Sequence, residues 1–280
     1  MRTIQAETIT EAVKNLCIKA CHQLPDDVYN AFHLLKETEK SPSAKLLLDD
    51  IIQNADIAKQ GEIPICQDTG LAVLFVELGQ DVHVNGNLEK ALHEGVRQGY
   101  TEGYLRKSVV AEPLFERINT KDNTPAIIHY SICEGDTLKI RMAPKGAGSE
   151  NKSMLKMLVP ADGMEGVKKF VLETVKNAGP NSCPPLVIGI GLGGTMEIAA
   201  LNAKKACVRD IDTHNPDERY ARLEQELLTL INKTGIGVQG LGGTSTAIRV
   251  HIEWSPTHIA CLPVAVNINC HAARHAEIIL

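Results

Sequence analysis

Ile63-Pro64-Ile65-Cys66-Gln67-Asp68-Thr69-Gly70 divides the chain. Upstream of it the sequence reads as successive helices. Downstream, the apolar run Leu71-Ala72-Val73-Leu74-Phe75-Val76 opens a mixed region of strands and helices. The stretch itself puts a soft ligand, a hydrogen-bonding amide and an acid on the consecutive residues Cys66, Gln67 and Asp68. Pro64 stiffens the approach, and Thr69-Gly70 turns the chain into the strand. A plain turn holding a buried thiol satisfies the same residues, because free cysteine is among the most buried residue types. Residues elsewhere decide between the two readings.

The first sixty residues carry helical periodicity. Ile9, Val13, Leu16 and Ala20 recur at helical intervals, and Thr8 with Glu11 has capping-box spacing. Cys17 and Cys21, four apart, read as small core residues on that helix. Pro25-Asp26-Asp27 opens a second helix with Val28, Phe32 and Leu35 on one stripe. Ser41-Pro42 opens a third, ending at Gly61. After Gly70, residues 71–78 and 81–84 read as strands and 88–98 as a helix. Residues 126–132 and 137–142 alternate around Glu134-Gly135-Asp136 and predict a hairpin. A polar, glycine-bearing loop fills 144–153. Helices are expected over 166–177, 195–207 and 216–232, and strands over 186–190, 248–254 and 262–268. The pattern predicts an α/β protein of mixed α+β type: an N-terminal helical segment followed by mixed sheets surrounded by helices. One domain over 1–280 is expected, with residues 1–60 packed on it and not independent.

Composition narrows the function. A chain of 280 residues with 44% hydrophobic and 22% charged residues is ordinary for a globular protein. A formal net charge of −5 argues against nucleic-acid or membrane-surface binding. No apolar run approaches the ~20 residues that span a bilayer. Met1 to Thr10 lacks the basic start and apolar stretch of a signal peptide, so a cytoplasmic protein is expected. The eight cysteines include no CxxC pair, which excludes a zinc ribbon and a thioredoxin-like site.

Gly146–Ser153 ends in Lys-Ser but is not a phosphate loop, because Asn151 stands where glycine must precede the lysine. It reads as a polar, substrate-facing loop, and Lys145 at its start offers charge to an anion. Gly189-Ile190-Gly191-Leu192-Gly193-Gly194 matches G-x-G-x-x-G between a strand and a helix. The acidic residue that a dinucleotide fingerprint needs ~20 positions on is poorly placed, since Asp210 and Asp212 lie beyond a long helix. A nicotinamide-dependent oxidoreductase stays as an alternative of another class. Asn181-Ser182-Cys183-Pro184-Pro185 presents a cysteine from a proline-stiffened loop. Asn267-Ile268-Asn269-Cys270-His271 leaves another at a strand end, and His258 precedes that strand. Cys66, Cys183 and Cys270 thus all lie in loops or at strand ends. Thiolates are the usual ligands of iron–sulfur clusters, and three of them leave one iron open to act as a Lewis acid.

Four motifs in order carry a resemblance: Cys66-Gln67-Asp68-Thr69-Gly70, Lys145-Gly146-Ala147-Gly148-Ser149-Glu150-Asn151, Ser182-Cys183-Pro184-Pro185 and Asn267-Ile268-Asn269-Cys270. The chain resembles the iron–sulfur hydro-lyases, the class I fumarate hydratases and L-tartrate dehydratases, and within them the alpha subunit of two-subunit fumarases. The resemblance runs from the first helix to the C-terminus and implies an iron–sulfur hydro-lyase alpha domain over 1–280. It implies a [4Fe–4S] cluster held by Cys66, Cys183 and Cys270, with Gln67, Asp68, Arg106 and His258 around a small dicarboxylate. Asp68 and His258 are the catalytic candidates; Gln67, Arg106 and Lys145 are the substrate-binding ones. Arg106 suits a carboxylate because its planar fork binds both oxygens. Single-chain members carry a second domain with further basic residues and the catalytic base. The resemblance therefore implies a separate beta subunit, a hetero-oligomer, and half an active site in this chain. Reversible hydration of fumarate to (S)-malate is the expected reaction, ahead of L-tartrate dehydration to oxaloacetate. A cluster serving structure or sensing is the non-catalytic alternative.

Overall fold

The structure is a computed structural model that describes residues 2–280. It contains two compact units. One comprises the chain through Pro25, Ala55–Ala147 and Arg274–Leu280; the other comprises Asp26–Asn54 and Gly148–Ala273.

The first unit begins with strand β1 (Arg2–Gln5) and helix α1 (Ala6–His22), whose Ile9, Val13, Leu16, Cys17, Ala20 and Cys21 are buried. Cys17 and Cys21 are core residues, as their spacing predicts. The helix starts before the expected cap: Gln5 stands at the N-cap, and Glu11 pairs with Lys14. Thr8 therefore lies inside the helix and caps nothing. Strands β2 (Leu71–Gly79) and β3 (Val82–Asn85) come after the Cys66 turn, and β3 pairs in parallel with β1.

Helix α4 (Leu88–Glu102) follows, then β4 (Ile127–Cys133), β5 (Leu138–Lys145) and the C-terminal β10 (Ala276–Ile279). These form a four-stranded sheet of order β10-β5-β2-β4. Leu74, Val76, Ile140 and Met142 of this sheet pack with α1 and α4 residues such as Leu92, Val96 and Tyr100.

The expected hairpin between β4 and β5 is not formed. Strand β2 lies between them, parallel to β4 and antiparallel to β5. The far end of β2 captures the connection: Gly79 N–H donates to Thr137, Gln80 N–H to Cys133 and Asp81 N–H to Gly135. Alternating sequence reports a strand with one buried face; it does not name the strand beside it.

The second unit holds α2 (Asp26–Thr38), whose Val28 and Phe32 are buried, and the first turns of α3 (Pro42–Gly61). Its sheet has the order β6-β9-β7-β8, from β6 (Met154–Leu158), β7 (Leu186–Gly193), β8 (Ala247–Ser255) and β9 (Leu262–Asn269). Strands β7 and β8 run parallel and β9 is antiparallel to β7.

Every residue of β7 is buried, and the two faces carry different residues. Leu186, Ile188, Ile190 and Leu192 pack with helices α6 (Gly163–Ala178) and α8 (Glu218–Asn232). Gly189 and Gly191 meet α7 (Met196–Ala206). A Cβ on Gly191 would lie 1.9 Å from the Ala199 carbonyl oxygen, and one on Gly189 2.0 Å from that of Ala203. The first glycines of the G-x-G-x-x-G pattern are thus strand residues that let a helix lie against the sheet. They do not form the phosphate-binding turn of a dinucleotide site, and the nicotinamide reading fails here.

The loop expected over 144–153 is shorter: β5 runs to Lys145, and Ala147–Glu150 forms one turn of helix, α5. No helix among the described residues is long and apolar enough to cross a membrane.

Candidate active site

In the first unit the turn 66–70 is fixed at each of its later carbonyls. The Asp68 carbonyl accepts from Arg274 Nη2. The Thr69 carbonyl accepts from the Tyr100 hydroxyl at 2.7 Å, and the Gly70 carbonyl from Tyr100 at 3.2 Å and Asn123 Nδ2 at 3.1 Å. The Thr69 hydroxyl donates to the Arg106 carbonyl at 3.0 Å. Burial raises the Tyr100 phenol well above its ordinary value. Burial likewise pushes the Cys21 thiol up to about 11, with Asp68 and Cys66 adding to the rise and Arg274 opposing it.

Asp68 uses both carboxylate oxygens inside this framework. Oδ1 accepts from Gly70 N–H at 2.9 Å and Oδ2 from Ala147 N–H at 2.8 Å. The acid therefore joins the cysteine-bearing turn to the end of the Lys145 strand. Gly70 has φ 68°, and a Cβ there would lie 2.6 Å from the Lys145 carbonyl carbon. Glycine is required at that contact both for its conformation and for its lack of a side chain.

Lys145, 6% exposed, is a buried strand-end residue and not part of a mobile polar loop. Arg106 is exposed, and its segment is tied down by Asn123, whose Oδ1 accepts from Ser108 N–H at 2.6 Å and Val109 N–H at 3.2 Å. Asp68, Thr69, Gly70, the Arg106 carbonyl and the Lys145 strand end thus belong to one hydrogen-bonded framework, which carries Cys66 and Gln67 at its start. Gln67 is exposed and Cys66 half-buried.

In the second unit Cys183 is exposed and has φ 53° and ψ 64°, the left-handed region that a residue with a Cβ rarely occupies. Its carbonyl accepts from His271 N–H at 3.0 Å, so the residue after Cys270 is bonded to Cys183 itself. Gln239 completes the arrangement. Its backbone N–H and Nε2 both donate to the Pro184 carbonyl, at 2.8 and 2.9 Å, and Nε2 also meets His271 Nδ1 at 3.1 Å. Two of the three proposed ligands are therefore held by one hydrogen-bonded set.

His258 lies apart from that set, on the β8–β9 loop, at a cavity of about 580 Å³ that it lines with Thr195, Thr257 and Cys261. Its Nδ1 accepts from Ala260 N–H at 3.1 Å. That bond selects the tautomer with the proton on Nε2.

Cysteine thiols are the donor type that iron–sulfur clusters use. All eight cysteines are thiols. Cys17, Cys21 and Cys207 are buried; Cys133 and Cys261 are half-buried at the end of β4 and just before β9, and Cys66, Cys183 and Cys270 stand outside the hydrophobic cores on hydrogen-bonded turns. Among the described residues no three His, Cys, Asp or Glu side chains converge tightly enough for a single metal ion. A cubane differs from such an ion in spreading its thiolates over separate irons.

Sequence reasoning missed Tyr100, Asn123, Gln239 and Arg274. Of these only Arg274 carried a signal, four residues after Cys270 in Cys270-His271-Ala272-Ala273-Arg274.

Such a thiol-bearing turn, on mixed sheets with flanking helices, defines a class. Residues 10–279 match the family described as Fumarate hydratase (Fumerase), and the chain belongs to that family of hydro-lyases. Among individual proteins it is 43% identical over 273 residues to a Methanocaldococcus jannaschii protein provisionally named L(+)-tartrate dehydratase subunit alpha, covering 96% of each chain. It is 33% identical over 276 residues to the L(+)-tartrate dehydratase subunit alpha of Escherichia coli K12, covering 97% of this chain and 90% of the relative. The Shigella sonnei protein of that name matches equally well.

Proposed function

We propose that this chain is the cluster-binding alpha subunit of a two-subunit class I fumarate hydratase, catalysing reversible hydration of fumarate to (S)-malate. The observation that carries the reading is the turn 66–70. It offers a thiol, an amide and an acid in sequence, and it is bonded through Thr69 to the backbone of Arg106. The family match and the relatives' subunit names support it.

Cys66, Cys183 and Cys270 would hold a [4Fe–4S] cluster, which when bound would supply Lewis-acid chemistry toward the substrate hydroxyl oxygen. Arg106 forks onto a substrate carboxylate, and the Gln67 amide hydrogen-bonds beside it. Lys145 contributes fixed positive charge behind the turn. Together these cations stabilise the extra charge that develops on the carboxylate when the neighbouring C–H proton leaves. His258, protonated on Nε2, and Asp68 orient the hydroxyl and handle its proton. A beta subunit supplies the remaining cations and the base that takes the C–H proton, so the assembly is a hetero-oligomer.

A second reading has one specific support: the relatives are named for L(+)-tartrate. The test is anaerobic purification of the chain with its co-purifying partner, iron analysis, and kcat/KM for fumarate, malate and L-tartrate. About four irons per pair and a kcat/KM for malate at least about tenfold above that for tartrate are expected. The reverse ratio assigns the tartrate reaction. Iron without hydro-lyase activity in the complete pair assigns a structural or sensing cluster.

A further inference from the structure

Arg274 is 3% exposed, and its guanidinium makes a single hydrogen bond, from Nη2 to the Asp68 carbonyl. Its Nε–H and Nη1–H are buried without an acceptor. Leaving a buried cation uncompensated costs several kcal/mol, so a fold retains one where an anion completes it. Nothing described in the first unit serves as that anion. The Asp68 carboxylate is turned to Gly70 and Ala147 N–H. The Tyr100 hydroxyl and the Cys21 thiol are turned as donors to the Thr69 and Gly70 carbonyls. Cys66 lies two residues before the carbonyl that Arg274 holds. Ile65 N–H donates to the Cys21 carbonyl at 3.0 Å and the Cys21 thiol reaches the Thr69 carbonyl, so Cys21 brackets the turn that holds Cys66 and the Asp68 carbonyl.

We infer that Arg274 is a positioning residue that supplies the counter-charge for the anionic iron–sulfur assembly at Cys66. This rests on the assignment of Cys66 as a ligand and goes beyond it. The fixed cation and its idle donors favour each added negative charge at that corner. Losing them disfavours the more reduced state, so the midpoint potential must fall. Arg106 is exposed to solvent and does not duplicate this role.

The test uses the complete alpha–beta pair, reconstituted anaerobically, as wild type, Arg274→Met and Arg274→Lys. Iron content, an EPR-monitored redox titration and thermal unfolding of each are measured. Arg274→Met is expected to shift the oxidised-to-reduced ratio at fixed potential about tenfold toward oxidised, which is about 59 mV for a one-electron couple. Arg274→Lys keeps the charge and is expected to shift it less than half as far. Wild type labelled with ¹⁵N-arginine supplies a readout that does not require the Met variant to fold. A ¹⁵N coupling to the reduced cluster is expected, and it should vanish in Arg274→Lys.

An unmoved potential in Arg274→Met at full iron content overturns the inference, as does the absence of any arginine coupling. Equal falls in Met and Lys variants also overturn it, because geometry and not charge would then be the cause. A wild type that binds no cluster defeats the ligand assignment, and this inference with it. A loaded wild type with unresponsive variants defeats this inference alone.

Discussion

The backbone N–H of His271 donates to the carbonyl oxygen of Cys183 at 3.0 Å. His271 Nδ1 lies 3.1 Å from the same oxygen, so Cys183 and Cys270, far apart in sequence, are joined through the residue that follows Cys270.

Because Cys66, Cys183 and Cys270 are the proposed ligands, serine at any one of them should remove most of the iron and the activity. Cys133→Ser, at the end of β4, should keep both. Iron analysis and the visible absorption of anaerobically purified protein decide. Full iron in any one of the three ligand variants would show that cysteine to be no ligand.

Asp68 accepts two backbone N–H groups with two different oxygens. An asparagine offers only one acceptor oxygen, so Asp68→Asn should leave either Gly70 or Ala147 N–H facing an amide NH₂. The expected cost is about 1–3 kcal/mol, with faster hydrogen exchange at those two amides. Unchanged exchange at both would mean the turn is held by its other contacts.

His251 is buried on β8. Its Nδ1 donates to the Ala206 carbonyl at 3.1 Å, and its Nε2 has no partner. Desolvation, aided by Arg209 and Arg249, lowers its pKa to about 3. The unfolded chain takes up this proton near pH 6.5 while the folded one stays neutral. Stability is therefore lost as pH falls from about 6.5 toward 3, by at most about 1.4 kcal/mol per pH unit from this group. His251→Gln should flatten that part of the stability curve in denaturant titrations. A curve of unchanged slope would show that His251 does not dominate it.

Gly191→Ala inserts a Cβ 1.9 Å from the Ala199 carbonyl oxygen. Backbone, not a flexible side chain, must yield, so the loss should reach or exceed the ~1–3 kcal/mol usual for overpacking. Calorimetry checks this. A Tm within a degree of wild type would mean that α7 moves away from β7 without penalty. The same substitution tests the dinucleotide alternative, since it alters packing and no phosphate site.

The sequence by itself determined most elements. Helical periodicity placed α1, the Pro42 start of α3 and the inner face of α6, because a 3.6-residue repeat is a local property. It also supplied the cysteines outside the core, because proline-stiffened loops and strand ends are visible without partners. Pairing was not local. Alternation around Gly135 suited a hairpin, yet β2 entered between β4 and β5, since a neighbour is chosen by edge hydrogen bonds and not by facial pattern. The glycines of β7 looked like a phosphate turn until α7 was seen lying against them. Arg274 was one arginine among many basic residues, and Tyr100 one apolar ring on a helix. Only tertiary structure gave them meaning, because burial and hydrogen-bond satisfaction depend on what the rest of the chain brings near. For the same reason Asp68, legible as an acid beside a cysteine, became a bridge between two backbone amides only once β2 and β5 lay side by side.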